Sequence, residues 1–297
     1  VSVIFSVSGT ILTGYTALLS LTCRCTPDIT FLLNFPFGET RFAMDSLSAL
    51  FVFIFSVIYL PVSIYSTGYL KHYNNGRKER LHYICLSLLI SSMMLVVTVT
   101  NSIMFLVLWE IMSLSSFFLV SFENEKSEVY DAAINYLIAM HVGVVFIISA
   151  FAFLSFRSGG NTFDDFRIVL NSGKGIADLL FFISFIGFGT KAGFFPFHSW
   201  LPKAHPAAPS HVSALMSGLM IKTGIYGIMR FLILIDSPSK TIGFTLLAIS
   251  SFTAIFGIIY AMNDRDMKKQ LAYSSIENIG IIGMALSVGI LGYAYGN

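Results

Sequence analysis

Apolar residues run along this chain in blocks of about 20 with short polar breaks between them, the length an α-helix needs to cross the ~30 Å hydrocarbon layer of a bilayer. Blocks nearly free of charge fall at residues 1–21, 46–69, 81–100, 102–122, 131–155, 178–197, 209–235, 241–262 and 270–294. None alternates apolar and polar positions with the period of two that a barrel strand shows. Lipid supplies no partner for open backbone N–H and C=O groups, so each block predicts a helix. The expected fold is an all-α integral membrane protein of about nine transmembrane helices. Only the breaks at 22–45 and 156–177 are long, which leaves no room for a soluble domain.

Composition strengthens this reading and adds exclusions. Charged residues make up 11% of the chain against 55% hydrophobic ones, and mean hydropathy is +0.77. A soluble domain carries about 25% charged residues to hydrate its surface, so lipid must solvate much of this chain. No basic tract is interleaved with aromatics, which argues against nucleic acid as a partner. Cys23, Cys25 and Cys85 lack metal-ligand spacing and read as ordinary small side chains. Without a phosphate loop, dinucleotide fingerprint or iron–sulfur cysteine set, no cofactor is expected within the chain. The first block lacks the basic start and small-residue cleavage site of a signal peptide and reads as a spanning helix.

Basic residues in short loops set orientation. The densest loop, 71–80 with Lys71, Arg77, Lys78 and Arg80, is placed in the cytoplasm, and alternation then puts Lys126, Lys203, Arg265, Lys268 and Lys269 there too. That leaves nine basic residues inside against seven outside, and a cytoplasmic N-terminus. Tyr73, Tyr83 and Trp200 fit an aromatic belt at the membrane interfaces.

Three ionisable residues stand well inside apolar blocks: Glu110 after Trp109, Lys191 within Phe188–Pro196, and Lys222 within Gly218–Gly224. A charge at the centre of a spanning helix costs about 2.5–3.5 kcal/mol on insertion scales. Glu110 and Lys191 could form a static ion pair; at 4 Å and an effective dielectric near 20 it gains about 4 kcal/mol, comparable to its desolvation cost, and Lys222 stays unexplained. The alternative is a relay. A buried lysine holds a proton while a carboxylate is near and releases it when the pair opens, so Lys191 would pass a proton from Glu110 toward Lys222. Pro196, with Gly187, Gly189 and Gly193 before it, predicts a helix break beside Lys191, the membrane signature of an ion site, although proline kinks also serve packing. Gly224 and Gly227 give the Lys222 helix a similar look.

The histidines leave alternatives open. His141, inside the fifth block, reads as a hydrogen-bonded core histidine or as a relay residue. His198, His205 and His211 gather at the cytoplasmic mouth of the sixth and seventh blocks, as a proton inlet or as metal ligands. Glu277, near the cytoplasmic end of the last block, is either interfacial or part of the pathway.

The run from Gly189 to Ser210, GTKAGFFPFHSWLPKAHPAAPS, continues through Val212–Met216 to Lys222 and resembles the central motif of the antiporter-like membrane subunits of complex I, Mrp-type sodium/proton antiporters and group 4 hydrogenases. Trp109-Glu110 and Asp266–Ser275 are further landmarks, so the resemblance covers nearly the whole chain. His205–Gly218 and Ile276–Gly280 are most similar to the hydrogenase branch, that of the large antiporter-like subunit of a formate hydrogenlyase or hydrogenase-4 type complex. The resemblance implies that Glu110 is the pairing carboxylate, Lys191 the lysine of the broken helix and Lys222 the connecting lysine. It further implies N-terminal helices over 1–80, a first five-helix repeat over 81–235, and over 236–297 the start of an inverted second repeat that breaks off early, as in a piece of a longer protein. The implied function is proton or sodium translocation in the cytoplasmic membrane of a prokaryote. It would be driven by a peripheral redox arm whose [NiFe] and iron–sulfur clusters sit in partner subunits. A stand-alone Mrp antiporter, a complex I subunit and a transport-dead scaffold are the alternatives; three buried charges argue against the last.

Overall fold

The computed structural model describes residues 2–23, 27–32, 39–71 and 76–296; the readings placed on Val1, Arg24, Cys25, His72, Tyr73 and Asn297 lie outside them. The helices are α1 (Ser2–Cys23), α2 (Ser46–Leu70), α3 (Gly76–Val96), α4 (Ser102–Val120), α5 (Ser127–Ser158), α6 (Phe163–Leu170), α7 (Lys174–Ala192), α8 (Leu201–Ala207), α9 (Ser210–Leu215), α10 (Ile221–Leu234), α11 (Lys240–Asn263) and α12 (Met267–Tyr295). A π-helical turn, Met216–Met220, joins α9 to α10. Among the described residues eight helical stretches are long and apolar enough to cross a membrane: α2, α3, α4, α5, α7, α9 through α10, α11 and α12. The 22-residue α1 occupies the first apolar block.

The chain divides into two compact units, residues 1–133 with 207–219 and residues 134–206 with 220–297. In the first, α1 lies along α2, α3 along α4, and α9 against α2. Side-chain caps start these helices where the apolar blocks begin: Asp45 accepts from the Ser48 amide ahead of α2, and Asn101 accepts from the Ile103 and Met104 amides ahead of α4. The break at 22–45, expected as plain loop, holds an antiparallel hairpin of β1 (Asp28–Leu32) and β2 (Glu39–Ala43), with Asp28 opposite Ala43. The Ala43 N–H donates to the Thr98 carbonyl at 2.8 Å, which ties the hairpin to the α3–α4 connection.

In the second unit α10 packs on α7, and α11 along α12, with α6 against α7 and α10. The second long break thus contains α6, a helix the apolar blocks do not reveal because it is eight residues long and opens on charged Asp164 and Asp165. A reciprocal Thr162–Asp165 capping box begins it. The α11–α12 pairing depends on small residues, as expected where lipid removes the hydrophobic drive between helices. A Cβ at Gly257 would lie 2.6 Å from the Glu277 amide nitrogen, and one at Gly280 would lie 2.5 Å from the Ala254 amide nitrogen. The outer faces are apolar in both units, with Ile64, Phe156 and Met262 at 71%, 87% and 81% exposure; lipid, not water, suits such a surface.

Candidate functional site

The second unit builds its site around the end of α7. Lys191 stands in the last turn of that helix and is 1% exposed. The helix stops at Gly193, whose φ of +87° is left-handed backbone that glycine adopts without the Cβ penalty. The amides of Gly193 and Phe194 both donate to the Gly189 carbonyl, at 2.8 and 2.9 Å, and the indole N–H of buried Trp200 donates to the Thr190 carbonyl at 2.8 Å. The Phe195 amide donates to Thr253 Oγ1 on α11 at 3.1 Å. The carbonyl end of α7 is thereby sealed inside the unit with an ammonium in its final turn, where the helix dipole favours positive charge.

This geometry corrects the expected cause of the break. Pro196 is exposed and lies outside any helix, four residues past the end of α7, so of the two break residues expected it is Gly193, by its backbone freedom, that ends the helix. Lys191 accordingly sits at a helix terminus and not in the middle of a continuous span.

Helix α10 brings Lys222 to the same region. A Cβ at Gly224 would meet the Ala192 nitrogen and the Phe188 carbonyl oxygen of α7, each at 2.6 Å, and one at Gly227 would meet the Phe188 ring at 2.3 Å. These two glycines let α10 ride directly on the turn of α7 that carries Lys191. Lys222, half-buried, sits two residues before that contact and directly after the π-helical turn. Such wide turns recur at functional sites because they loosen the i→i−4 ladder. Here the Thr223 hydroxyl donates to the freed Met220 carbonyl at 2.6 Å. Gly224→Ala is expected to lower full-length protein stability by about 1–3 kcal/mol, because its Cβ strikes backbone that cannot swing away; an unchanged thermal midpoint in detergent would contradict the close contact.

The remaining expected residues fall in different environments. His205 on α8 is buried, and burial together with the nearby Lys268 ammonium pushes its pKa down to about 4. Lys268 Nζ donates to the Pro206 carbonyl at 3.2 Å, which fixes that ammonium beside it. Burial lowers the pKa of His198, whose ring stacks on Phe195 at 5.6 Å and meets the edge of Phe256 at 4.8 Å. His141 is on the outward face of α5 beside exposed Val142 and Val145, with Nδ1 2.9 Å from the Leu137 carbonyl oxygen; it is hydrogen-bonded but not in the core. Glu277 is half-buried where α12 crosses Gly257 of α11.

The depressed His205 pKa carries a pH prediction. Between about pH 6.5 and 4 the unfolded chain binds a proton at this position that the folded chain refuses, so stability declines on acidification through that window and levels off below it. His205→Gln removes this slope, and its melting should suffer less than the parent's at pH 5 by about 2 kcal/mol. Parallel loss in both proteins between pH 7 and 5 would refute a neutral buried His205.

In the first unit Glu110 is half-buried on α4, with one carboxyl oxygen wholly enclosed, next to buried Trp109, which stacks on Phe105 at 5.5 Å. The same unit holds a residue that sequence reading missed. His211 on α9 is paired with His82 on α3, Nε2 to Nε2 at 2.7 Å, and both rings are buried. The two stand 129 positions apart, and His82 follows a basic loop and precedes Tyr83, so it blends with interfacial residues; a single sequence carries no signal of that pairing. Among the described residues no group of three or more His, Cys, Asp or Glu side chains could hold a metal ion.

Comparison with known proteins bears on what such an arrangement does. The profile of the NADH:quinone oxidoreductase/Mrp antiporter transmembrane family matches residues 99–295. Hydrogenase-4 component B of Escherichia coli (strain K12) is 40% identical over 263 residues, covering 87% of this chain and 38% of that protein. The putative antiporter subunit mnhA2 of Staphylococcus epidermidis is 36% identical over 252 residues, covering 83% of this chain and 31% of that protein. The chain thus spans under two fifths of the length of either relative. A chain in the structure of the membrane-bound sulfane sulfur reductase, an archaeal respiratory membrane complex, superposes with a TM-score of 0.83 at 21% identity, over 96% of this chain and 58% of that one.

Proposed function

Because this chain belongs to the NADH:quinone oxidoreductase/Mrp antiporter transmembrane family, we propose that it carries part of an ion path through a prokaryotic cytoplasmic membrane. The single observation that carries the reading is Lys191: a fully buried ammonium at the sealed, glycine-terminated end of α7. A proton carrier needs a group that gains and loses charge in a dry place, and a buried lysine at a helix terminus meets that need. Lys191 and Lys222 hold and release protons in one unit, and Glu110 serves as the carboxylate of the other. His205 and His211 would lie on the inlet side, and Glu277 and His141 would line later or outward-facing parts of the route. Protons rather than sodium are the favoured ion, because lysine and histidine bind one and repel the other.

The motor would be a redox arm like that of a group 4 [NiFe] hydrogenase or formate hydrogenlyase, with the [NiFe] and iron–sulfur centres in partner subunits. The 40% identity to Hydrogenase-4 component B favours this branch. The identity to an mnhA2 antiporter subunit supports a second reading, a sodium/proton antiporter without a redox partner. Mild-detergent purification of the native complex, followed by mass spectrometry of every co-purifying subunit, separates them. Recovery of [NiFe] and iron–sulfur subunits is the expected result; recovery of small membrane subunits alone would replace the hydrogenase reading with the antiporter one.

A further inference from the structure

We infer that His82 and His211 form a two-ring proton conductor within the first unit, a site that takes a proton at one Nδ1 and gives one up at the other. The inference rests on the proton-translocation reading above and extends it to a residue, His82, outside the lysine–glutamate set.

At 2.7 Å the two Nε2 atoms are at hydrogen-bond distance, and two neutral imidazoles can meet this way only if one Nε2 carries the proton and the other is bare. The tautomers are then forced. The donor ring has a bare Nδ1, and the acceptor ring has its proton on Nδ1. Both Nδ1 atoms are buried and find no hydrogen-bond partner among the described residues. Leaving a buried donor or acceptor unsatisfied costs about 1–3 kcal/mol, so one unsatisfied N–H and one bare ring nitrogen in the same pair call for an account by water or by proton traffic. The rings around the pair are apolar or uncharged. Phe122 meets His82 edge-on at 4.9 Å, Tyr83 stands 6.3 Å from it, and Tyr69 and Tyr65 of α2 stand 5.1 and 6.5 Å from His211. Those three tyrosines are the ionisable side chains among these ring contacts. The charged pairs of this unit among the described residues, Arg41 with Asp28, Lys78 with Glu125 and Lys126 with Glu123, are at partly exposed positions.

The transfer conserves protons. A proton binds the bare Nδ1 of the donor ring; that ring passes its Nε2 proton across the hydrogen bond to the partner's Nε2; the partner releases its Nδ1 proton. One proton enters, one leaves, and the hydrogen bond now points the other way. The pair therefore moves one proton per reversal, and cannot move a second in the same direction until it is reset by ring rotation or tautomer exchange. A sodium ion finds no acceptor of this kind, so the pair is selective for protons.

The test uses the full-length protein in its native complex, labelled with ¹⁵N-histidine. Expected is a ¹⁵N–¹⁵N coupling across Nε2···Nε2 in membranes. In vesicles, proton flux should fall at least about tenfold in His82→Gln and in His211→Gln, and added imidazole should restore it in His211→Gly. Absence of the coupling overturns the pair regardless of flux. Parental flux in His82→Gln and His211→Gln, in complexes where Lys191→Ala has none, overturns the conductor and leaves the lysine path standing. Parental flux in Lys191→Ala removes the lysine path, and parental flux in the two histidine variants as well overturns translocation through this chain and the conductor with it.

Discussion

Lys191→Ala is expected to reduce proton flux by about 10²-fold or more while the native complex still assembles. The physical contrast behind this is between what Lys191 costs and what removing it costs. Lys191 is 1% exposed in a unit whose outer face is apolar, and it stands at the carbonyl end of α7, where the helix dipole favours positive charge. An apolar side chain here removes the desolvation cost of the charge, and Lys191→Met keeps the volume, so a cavity does not enter the comparison. Both variants should therefore purify with all partners and fail in the same assay. Parental pumping in either would show that the ammonium is a packing accident. Collapse of assembly in both would show that it is a structural ion partner, the alternative that the sequence left open.

The parts of this picture legible in the sequence are those set by solvent. Lipid demands long uncharged blocks, and the blocks at 46–69, 102–122, 241–262 and 270–294 became helices within a few residues of where composition put them. The same demand makes Glu110, Lys191 and Lys222 stand out. What the sequence hid depends on short-range backbone conformation or on contacts across the chain. The hairpin at Asp28–Ala43 and helix α6 are too short and too polar to register as blocks. The break after Lys191 was visible in Pro196 and Gly193 together, and of the two it is Gly193, three residues earlier, that ends the helix. The π-helical turn before Lys222 has no signature in MSGLM, and the His82–His211 pair joins residues that no local pattern relates. His141 shows the opposite error: a polar residue inside an apolar block implied burial, but the ring lies on an outward face.

Substitutions at Gly193 should rank Gly, then Asn, then Ala, then Val, both in thermal stability and in proton flux, with flux falling faster. The order follows from conformation rather than space. A Cβ at Gly193 would meet nothing closer than Leu201 Cδ2 at 3.6 Å and Ile276 Cγ1 at 3.9 Å, ordinary contact distances, so even a small side chain fits. What it cannot do is adopt a φ of +87° without strain, which costs about 1–2 kcal/mol for most residues, less for Asn and more for a β-branched side chain. The chain relieves that strain by rebuilding the last turn of α7. Doing so breaks the two N–H hydrogen bonds into the Gly189 carbonyl and turns the peptide whose carbonyl Trp200 holds, both within two residues of Lys191. A shift of about 1 Å in a positioned group is enough to cost two orders of magnitude in transfer, against a stability change of only 1–2 kcal/mol. Gly193→Asn should thus retain most flux and Gly193→Val almost none at similar expression. If all three variants pump alike, the left-handed terminus is merely a convenient place for the helix to end. If flux and stability decline in proportion, Gly193 supports the fold and the geometry at Lys191 tolerates more movement than a proton relay allows.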